Sequence, residues 1–478
     1  MPEAAAQPIY DVAIIGSGPA GYTAAIRAGQ LGLKTALIES VDVLGGTCLH
    51  VGCIPTKALL FNAELWDHLK HAADYGIDNV DGRTLNWESV QKRKTTIVNK
   101  HTKGLEFLMK KNKVTVVRGY GRLTGPAKDG IHTVALSNTP DGAAASVQAK
   151  NVIVATGSEA KMIFGLKPDD RILTNIEMLS VPEVPKSLIV IGAGAVGLEF
   201  GSIFKSFGSD VTIVEFLPRI APVEDEDISK ELMRLFKKRG IDVNTSCKVE
   251  KIEKTETGVK VTWTTANGKT VEKEADKVLV AVGRAPRTGD VGLDKTRVEL
   301  DRGFIKVNEA HETAEPGVYA VGDIVAGLPQ LAHVGGMSGI VAVTKIAGRT
   351  FRPVRRDRIP GCTYSEPQIG SAGLTEAQAK EKGYEVKVGK FPFAGNSKAT
   401  IVGNHDGFVK IVADAKYGEI LGVHIIGPSA TELIAEAIAV MELEGTVDEL
   451  MFTIHAHPTL SESMLDAYAA VEGMAINA

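Results

Sequence analysis

The sequence predicts an α/β protein with two Rossmann-like dinucleotide-binding domains and a C-terminal α+β domain. Three observations predict it. A strand, a Gly-x-Gly-x-x-Gly turn, a helix and a second strand ending in Glu occur twice. Glu39 lies 23 residues after Gly16, and Glu215 lies 23 residues after Gly192. Beyond residue 351 the fingerprint is absent, and the pattern changes to alternating strands followed by a helix.

The first copy opens with the apolar run Asp11-Val-Ala-Ile-Ile15. The turn Gly16-x-Gly18-x-x-Gly21, an alanine-rich helical stretch and the strand Thr35-Ala-Leu-Ile38 follow, and Glu39 closes it. The second copy runs from Ser187-Leu-Ile-Val-Ile191 through Gly192, Gly194 and Gly197 to Val211-Thr-Ile-Val214 and Glu215. A lone fingerprint is weak, because glycines cluster by chance. A fingerprint followed by a second strand and an acid at this spacing is strong. The first glycine makes the tight turn, the second admits a pyrophosphate, and the third lets helix pack on strand. The helix N-terminus offers its unpaired N–H groups to the phosphates, and the terminal acid takes the ribose hydroxyls. Val152-Ile-Val-Ala-Thr-Gly157 and Val278-Leu-Val-Ala-Val-Gly283 read as matching return strands. Two dinucleotides follow, one held and one exchanged. Later, Gly317-Val-Tyr-Ala-Val-Gly-Asp323 reads as a strand ending in a carboxylate. Pro353, Pro360 and Pro367 then punctuate a link to the last domain, with strands near 408–412 and 421–426 and a helix over 431–444.

The totals narrow the function classes. A chain of 478 residues exceeds one ordinary core. Fifty glycines exceed the usual share of about 7%. A net charge of −4 leaves no overall basic footprint for nucleic acid. The lysine-rich stretch 92–113 reads as a solvated helix face. No uncharged apolar run reaches the roughly 18 residues of a membrane span. Residues 1–8 show no signal-peptide pattern. A cytoplasmic location in a reducing compartment is expected.

Four cysteines are too few for a secreted disulfide scaffold. Cys48 and Cys53 stand five residues apart in Gly45-Gly-Thr-Cys-Leu-His-Val-Gly-Cys-Ile-Pro-Thr-Lys57. An isolated pair at this spacing is more often a structural bridge or two unrelated thiols. Beside a dinucleotide fingerprint, electron transfer between sulfur and cofactor becomes the better reading. The pair is expected at the start of a helix through Lys57, whose N-terminal field favours thiolate. Residues five apart on an ideal helix diverge by roughly 140°. Pro55, lacking an N–H, is the expected source of distortion. Cys247 and Cys362 are single and read as inert core thiols.

His455 and His457 share a face if the chain is extended there. That spacing could chelate a metal, but no third ligand with metal-site spacing lies nearby, and no metal site is expected. His457 precedes a proline, which favours extended backbone. Glu462, five residues on, can orient its ring as a general base requires.

These motifs resemble those of the pyridine nucleotide–disulfide oxidoreductases. The likeness runs in the family's order from Tyr10 to about Glu472. It includes the fingerprints, the thiol run, Ala155-Thr-Gly157, Gly322-Asp323, Leu331-Ala-His333 and His457-Pro-Thr-Leu-Ser-Glu462. The resemblance implies FAD at the first fingerprint and NAD at the second. It implies an FAD-binding domain over 1–158, an NAD-binding domain over 159–284, a return to the FAD domain over 285–350, and a dimerisation domain over 351–478. For FAD it implies contacts from Gly16, Gly18, Pro19, Ala20, Gly21, Glu39, Gly46, Thr47, Lys57, Thr156, Gly157, Asp323, Ala332 and His333. For NAD it implies Gly192, Gly194, Gly197, Glu215 and Gly283.

The chemistry implied is oxidation of a protein-bound dihydrolipoyl group, with NAD as acceptor, through a redox-active Cys48–Cys53 disulfide. Cys48 is the interchange thiol that meets substrate, and Cys53 is the sulfur next to flavin. Lys57 and Glu199 form an ion pair at the redox-active edge of the flavin. His457 is the base and Glu462 fixes its tautomer, both supplied by the partner subunit of a homodimer. The alternative is NADH-dependent reduction of another small disulfide on the same scaffold. A lipoyl-bearing protein is the expected substrate, and docking to an acyltransferase core is a companion expectation. Glu215, with no cation before Arg219, favours NAD over NADP. Ala195 stands where glutathione reductases carry a tyrosine gate, and the chain shows no second cysteine pair near Ala478. His50, Thr56, Gln368 and the stretch 334–339, which lacks the usual acid, depart from the family pattern.

Overall fold

The computed structural model describes residues 8–78, 80, 82–140 and 145–477. Residues 1–7, which include all but the last of the segment read for a signal peptide, lie outside that description. Two compact units are present: Met1–Pro55, Gln91–Lys161 and Arg284–Val354 form the first, and Thr56–Val90, Met162–Gly283 and Arg355–Ala478 the second.

The first unit is built on a seven-stranded sheet. Ile9–Ile15 lies at its centre, parallel to Thr35–Glu39 on one side and to Ser146–Val154 on the other. Thr115–Arg118 extends the parallel edge. Ser146–Val154 pairs antiparallel to His132–Ser137 near its start and parallel to Val318–Ala320 near its end. Val12, Ile14, Leu37 and Ile153 are fully buried, as expected for a parallel sheet covered on both faces. Helix Pro19–Gln30 carries the first fingerprint. It packs against helix Ala332–Ile346 through small residues. A Cβ on Gly339 would stand 2.6 Å from the Ala20 carbonyl oxygen, and one on Gly335 3.2 Å from the Ala20 Cβ. That closeness gives the atypical stretch 334–339 a packing role.

The second unit holds three sheets. A parallel five-stranded sheet runs in the order Asp242–Asn244, Asp210–Val214, Ser187–Ile191, Lys277–Val280, Ile172–Leu173. It carries the second fingerprint helix, Ala195–Ser206. A three-stranded antiparallel meander spans Lys248–Lys254, Val259–Thr264 and Thr270–Ala275. The C-terminal sheet is antiparallel and five-stranded, and every residue of its strands Phe408–Asp414 and Ile420–Gly427 is buried. Helices Ala430–Glu442 and Glu462–Val471 contribute Ile434, Ala437, Met464 and Tyr468 to its core. This is the two-Rossmann plus α+β class expected from the sequence.

Candidate active site

The two fingerprints have nearly superimposable local geometry. Gly16 has φ +104° and Gly192 φ +102°, so each occupies backbone space that favours glycine. A Cβ on Gly16 would lie 2.4 Å from the Ala155 carbonyl oxygen, and one on Gly192 2.5 Å from that of Ala281. At Gly21 the added carbon would lie 1.9 Å from the Gly16 oxygen, and at Gly197 2.0 Å from the Gly192 oxygen. By contrast, nothing lies within 4 Å of a Cβ on Gly18 or Gly194. These open positions at two helix N-termini are where a pyrophosphate can approach backbone N–H groups, so both cradles fit a dinucleotide. Gly46 closes against the first cradle: its Cβ would meet the Gly18 Cα at 2.7 Å.

The strand-end acids are anchored alike. Glu39 accepts from the Ser17 N–H at 3.0 Å and the Val41 N–H at 3.1 Å. Glu215 accepts from the Ala193 N–H at 2.6 Å and the Leu217 N–H at 2.7 Å. Each acid therefore braces its own glycine turn through one N–H of that turn. The nearest cation to Glu215 in sequence, Arg219, instead donates to the Pro222 carbonyl at 2.8 Å.

The thiol segment differs from expectation. One continuous distorted helix is replaced by two, Gly46–Val51 and Cys53–Lys70, divided at Gly52. Gly52 has φ −145° and ψ −115°, and a Cβ there would approach the Thr47 carbonyl oxygen to 2.9 Å. Pro55 is the third residue of its helix, where the missing N–H has no partner within the helix anyway. The break belongs to Gly52, not to Pro55. Cys53 occupies the first turn, so the expected N-terminal field acts on it.

Tyr22 and Arg284 of the first unit feel the charge of the thiols. Burial pushes the Tyr22 hydroxyl up, and charge on Cys48 and Cys53 adds to the shift. Burial pushes the Arg284 guanidinium down, against the pull of Asp323 and Cys53. Arg284 donates to the Ser158 hydroxyl and carbonyl, each at 2.7 Å, and Ser158 Oγ donates to Asp323 Oδ2 at 2.5 Å. Thr156 Oγ1 donates to the Arg287 carbonyl at 2.6 Å. His333 is exposed and Ala332 half-buried at the start of their helix. Gly157 and Gly283 both have positive φ with open space at the Cβ position.

In the second unit, Lys57 Nζ donates to both Glu199 oxygens, at 2.9 and 2.8 Å. The Glu199 side chain is only 6% exposed. The Tyr364 N–H completes its shell at 3.0 Å, and the Tyr364 ring lies under Lys57 Nζ at 4.5 Å. The Glu366 N–H donates to Ser202 Oγ at 2.9 Å, strapping this segment along the fingerprint helix.

Glu462 Oε1 accepts from His457 Nδ1 at 2.9 Å. Burial pushes the Glu462 carboxyl up, but the Thr459 N–H and the His457 ring outweigh it, and the net direction is down. His457 is 72% exposed in its side chain, with Nε2 left for chemistry. The His455 side chain is covered and turned to Glu436 at 3.2 Å, away from His457, which pairs with Glu462. Among the described residues no cluster of three His, Cys, Asp or Glu side chains suits a metal ion.

Sequence reasoning paired Lys57 with Glu199 and His457 with Glu462, and the structure joins both pairs. It missed Tyr22, Arg284 and Tyr364. Their neighbours lie too far along the chain for spacing to reveal, as with Tyr364 and Glu199 at a separation of 165 residues. One further reading is corrected. Lys94, assigned to the solvated face, is 8% exposed, and burial pushes its ammonium down. Of the two thiols read as inert, Cys247 is buried and Cys362 half-buried, with the latter pushed up to about 11 by burial and by Glu224.

Comparison with known proteins returns one family. Residues 10–339 match the pyridine nucleotide-disulphide oxidoreductase family, and residues 359–468 match the dimerisation domain of the same family. A dihydrolipoyl dehydrogenase of Bacillus subtilis is 45% identical over 475 residues, covering 98% of this chain and 99% of the relative. The mitochondrial dihydrolipoyl dehydrogenase of Pisum sativum is 43% identical over 96% of this chain and 91% of its own length. Among solved structures, LpdA from Mycobacterium tuberculosis superimposes with a TM-score of 0.87 at 28% identity, covering 96% of this chain and 98% of that one.

Proposed function

Because this chain belongs to the pyridine nucleotide-disulphide oxidoreductase family, we propose that it oxidises protein-bound dihydrolipoyl groups, with NAD as acceptor. The observation that carries the reading is its end-to-end likeness to the Bacillus subtilis dihydrolipoyl dehydrogenase. FAD and NAD are the cofactors, and FAD, when bound, supplies two-electron exchange between a thiol pair and the nicotinamide. Gly16, Gly18, Gly21, Glu39, Gly46 and Asp323 would hold FAD, with Thr47, Thr156, Ala332 and His333 beside them. Gly192, Gly194, Gly197, Glu215 and Gly283 would hold NAD.

The protein's own groups perform the thiol chemistry. With Cys48 and Cys53 oxidised to a disulfide, a substrate thiolate attacks Cys48 Sγ, and the S–S bond breaks with its electron pair on Cys53. Cys53 can carry that charge in the first turn of its helix. The second substrate thiol then attacks the substrate sulfur of the mixed disulfide. Cys48 leaves, and the lipoyl disulfide closes. The substrate has lost two electrons and the cysteine pair has gained them. His457 takes the substrate proton at Nε2, because Glu462 holds Nδ1 as the protonated nitrogen. Glu199 fixes the Lys57 ammonium, whose charge favours a reduced, anionic partner nearby.

The family's dimerisation domain supports a homodimer. Attachment to an acyltransferase core and a cytoplasmic location are companion proposals. Among the described residues no helix is long and apolar enough to cross a membrane. Gel filtration with a candidate core tests attachment. For the reaction, anaerobic titration of the flavin-loaded protein with dihydrolipoamide, then with glutathione, decides. Reduction by dihydrolipoamide followed by NAD turnover is expected. Preferential exchange with glutathione would transfer the chain to the other disulfide reductases.

A further inference from the structure

Helix Trp87–Lys111 presents a charged stripe that the proposed chemistry does not use. An ideal helix turns about 100° and rises about 1.5 Å per residue. On that geometry Lys92, Arg93, Lys100, Lys103, Lys110 and Lys111 fall within an arc of about 100° and span about 28 Å. All six are exposed. Phe107, 63% exposed, falls inside the same arc. Among the described residues no ion pair neutralises Lys92, Lys100, Lys103, Lys110 or Lys111. Exposed lysines elsewhere do pair, as Lys230 does with Glu226 and Lys380 with Glu376.

Lys110 and Lys111 suit the negative end of the helix dipole, but the middle of the stripe gains nothing from its charge. Like charges three or four apart, such as Lys100 and Lys103, weaken a helix by about 0.2–0.5 kcal/mol per pair. It also stands on a chain of net charge −4. A row of exposed lysines such as Lys92, Lys100, Lys103, Lys110 and Lys111 steers a partner of opposite sign. The opposite side of the helix buries Val98, Thr102 and Met109, so no apolar face remains to enter a lipid surface. A single exposed aromatic offers little of the repeated stacking that single-stranded nucleic acid uses.

We propose that this stripe docks an acidic protein surface, the one surrounding the lipoyl group on its carrier, with Phe107 as the apolar contact within its arc. The proposal rests on the dihydrolipoyl reading above. Charge attraction would bring the carrier in, while the dithiol itself is recognised at the thiol site.

The test uses the FAD-loaded dimer with two substrates: free dihydrolipoamide, and a reduced lipoylated carrier domain of net negative charge. The variant is Lys100→Glu/Lys103→Glu/Lys110→Glu. A Lys→Gln version of the same three positions serves if the first does not fold. At low salt the variant should show a KM for the carrier raised about tenfold or more, with kcat kept. Kinetics with free dihydrolipoamide should not change. Wild-type KM for the carrier should rise with salt. Equal effects on both substrates, or none on the carrier, would overturn docking here. A dimer lost on charge reversal would make the stripe an interface between copies. Tighter retention by anionic vesicles or single-stranded DNA than by the carrier would assign it to those. Each of these results refutes the proposal. Failure of the wild type to oxidise free dihydrolipoamide would overturn the reaction reading and the docking with it.

Discussion

Glu215 does two things with one carboxylate. One oxygen braces the glycine turn through the Ala193 N–H, the other accepts from the Leu217 N–H just beyond the strand, and its charge stands where an adenosine ribose is expected. A 2′-phosphate there would meet like charge and lose hydrogen bonds. Steady-state kcat/KM should therefore favour NAD over NADP by about tenfold or more, roughly 1.4 kcal/mol for each factor of ten. Glu215→Gln keeps an acceptor and removes the charge, so it should narrow that ratio. Equal values for the wild type would refute the ribose assignment. At the other end of the chain, Glu462 is held below the ordinary carboxylate range by Thr459 and His457. It therefore stays ionised at neutral pH and holds the Nδ1 side of the His457 ring. Glu462→Gln should lower kcat by about 10²-fold, the low end of general-base contributions, and the pH–rate profile would report it.

At the scale of elements, the third glycine of each fingerprint separates the two cofactors. A Cβ at Gly197 would collide with the Gly192 oxygen, and one at Gly21 with the Gly16 oxygen. Gly197→Ala should retain flavin while its KM for NAD rises at least tenfold. Gly21→Ala should purify with little flavin. The flavin-to-protein absorbance ratio and NAD kinetics read the two outcomes, and loss of both cofactors in either variant would contradict the separation. A second element-level device is Lys410 on strand Phe408–Asp414. Its ammonium, 3% exposed, contacts Asp225, Glu376 and Asp227 at 2.9, 2.8 and 3.0 Å. Burial lowers the Lys410 ammonium, but the three carboxylates outweigh it and raise it. Burial raises Asp225, but Lys410, His424 and the Asp227 N–H together outweigh it and the net direction is down; Glu376 is lowered by Lys380 and then by Lys410. Carboxylates lowered on folding stabilise fully above their unfolded values. That stabilisation should fade as pH falls below about 5 through the lowered folded values. Lys410→Met strands the buried Asp225 carboxylate beside the half-buried Asp227 and Glu376, and should cost about 3–5 kcal/mol at neutral pH. Thermal unfolding at pH 7 and pH 3 checks both the size and the sign: the variant's deficit should shrink in acid.

For the whole molecule, the thiols and the base lie at opposite ends of the sequence, and the family's dimerisation domain covers residues 359–468. If Cys48 and Cys53 of one chain work with the partner subunit's His457 and Glu462, two dead variants can rescue each other. Mixed dimers of Cys53→Ser and His457→Gln would then contain one site with both lesions and one intact site. About half the wild-type activity per dimer should return, because one site in two is restored. Purified mixed dimers as inactive as their parents, with FAD fully bound, would refute the shared site.

Much of this was legible without coordinates. Strand, glycine turn, helix and terminal acid are local features, and each glycine answers a local steric demand, so their order alone determined the doubled Rossmann architecture. The thiol pair and the His457–Glu462 dyad were also within reach, since five residues separate the members of each. What spacing could not supply was decided by distant parts of the chain. Tyr364 reaches Glu199 from 165 residues away, and Arg284 reaches Ser158 from 126. Sequence alone points to Pro55 as the source of distortion in one helix, whereas the structure divides the segment into two helices at Gly52. In the first turn a proline sacrifices no helical hydrogen bond, whereas Gly52 lies close against Thr47, where a side chain would crowd the backbone. Lys94 was read by composition, but its burial follows from the side of the helix that faces the core. Local sterics fix turns and fingerprints; which buried partner a charge finds is fixed only when the sheets and helices pack.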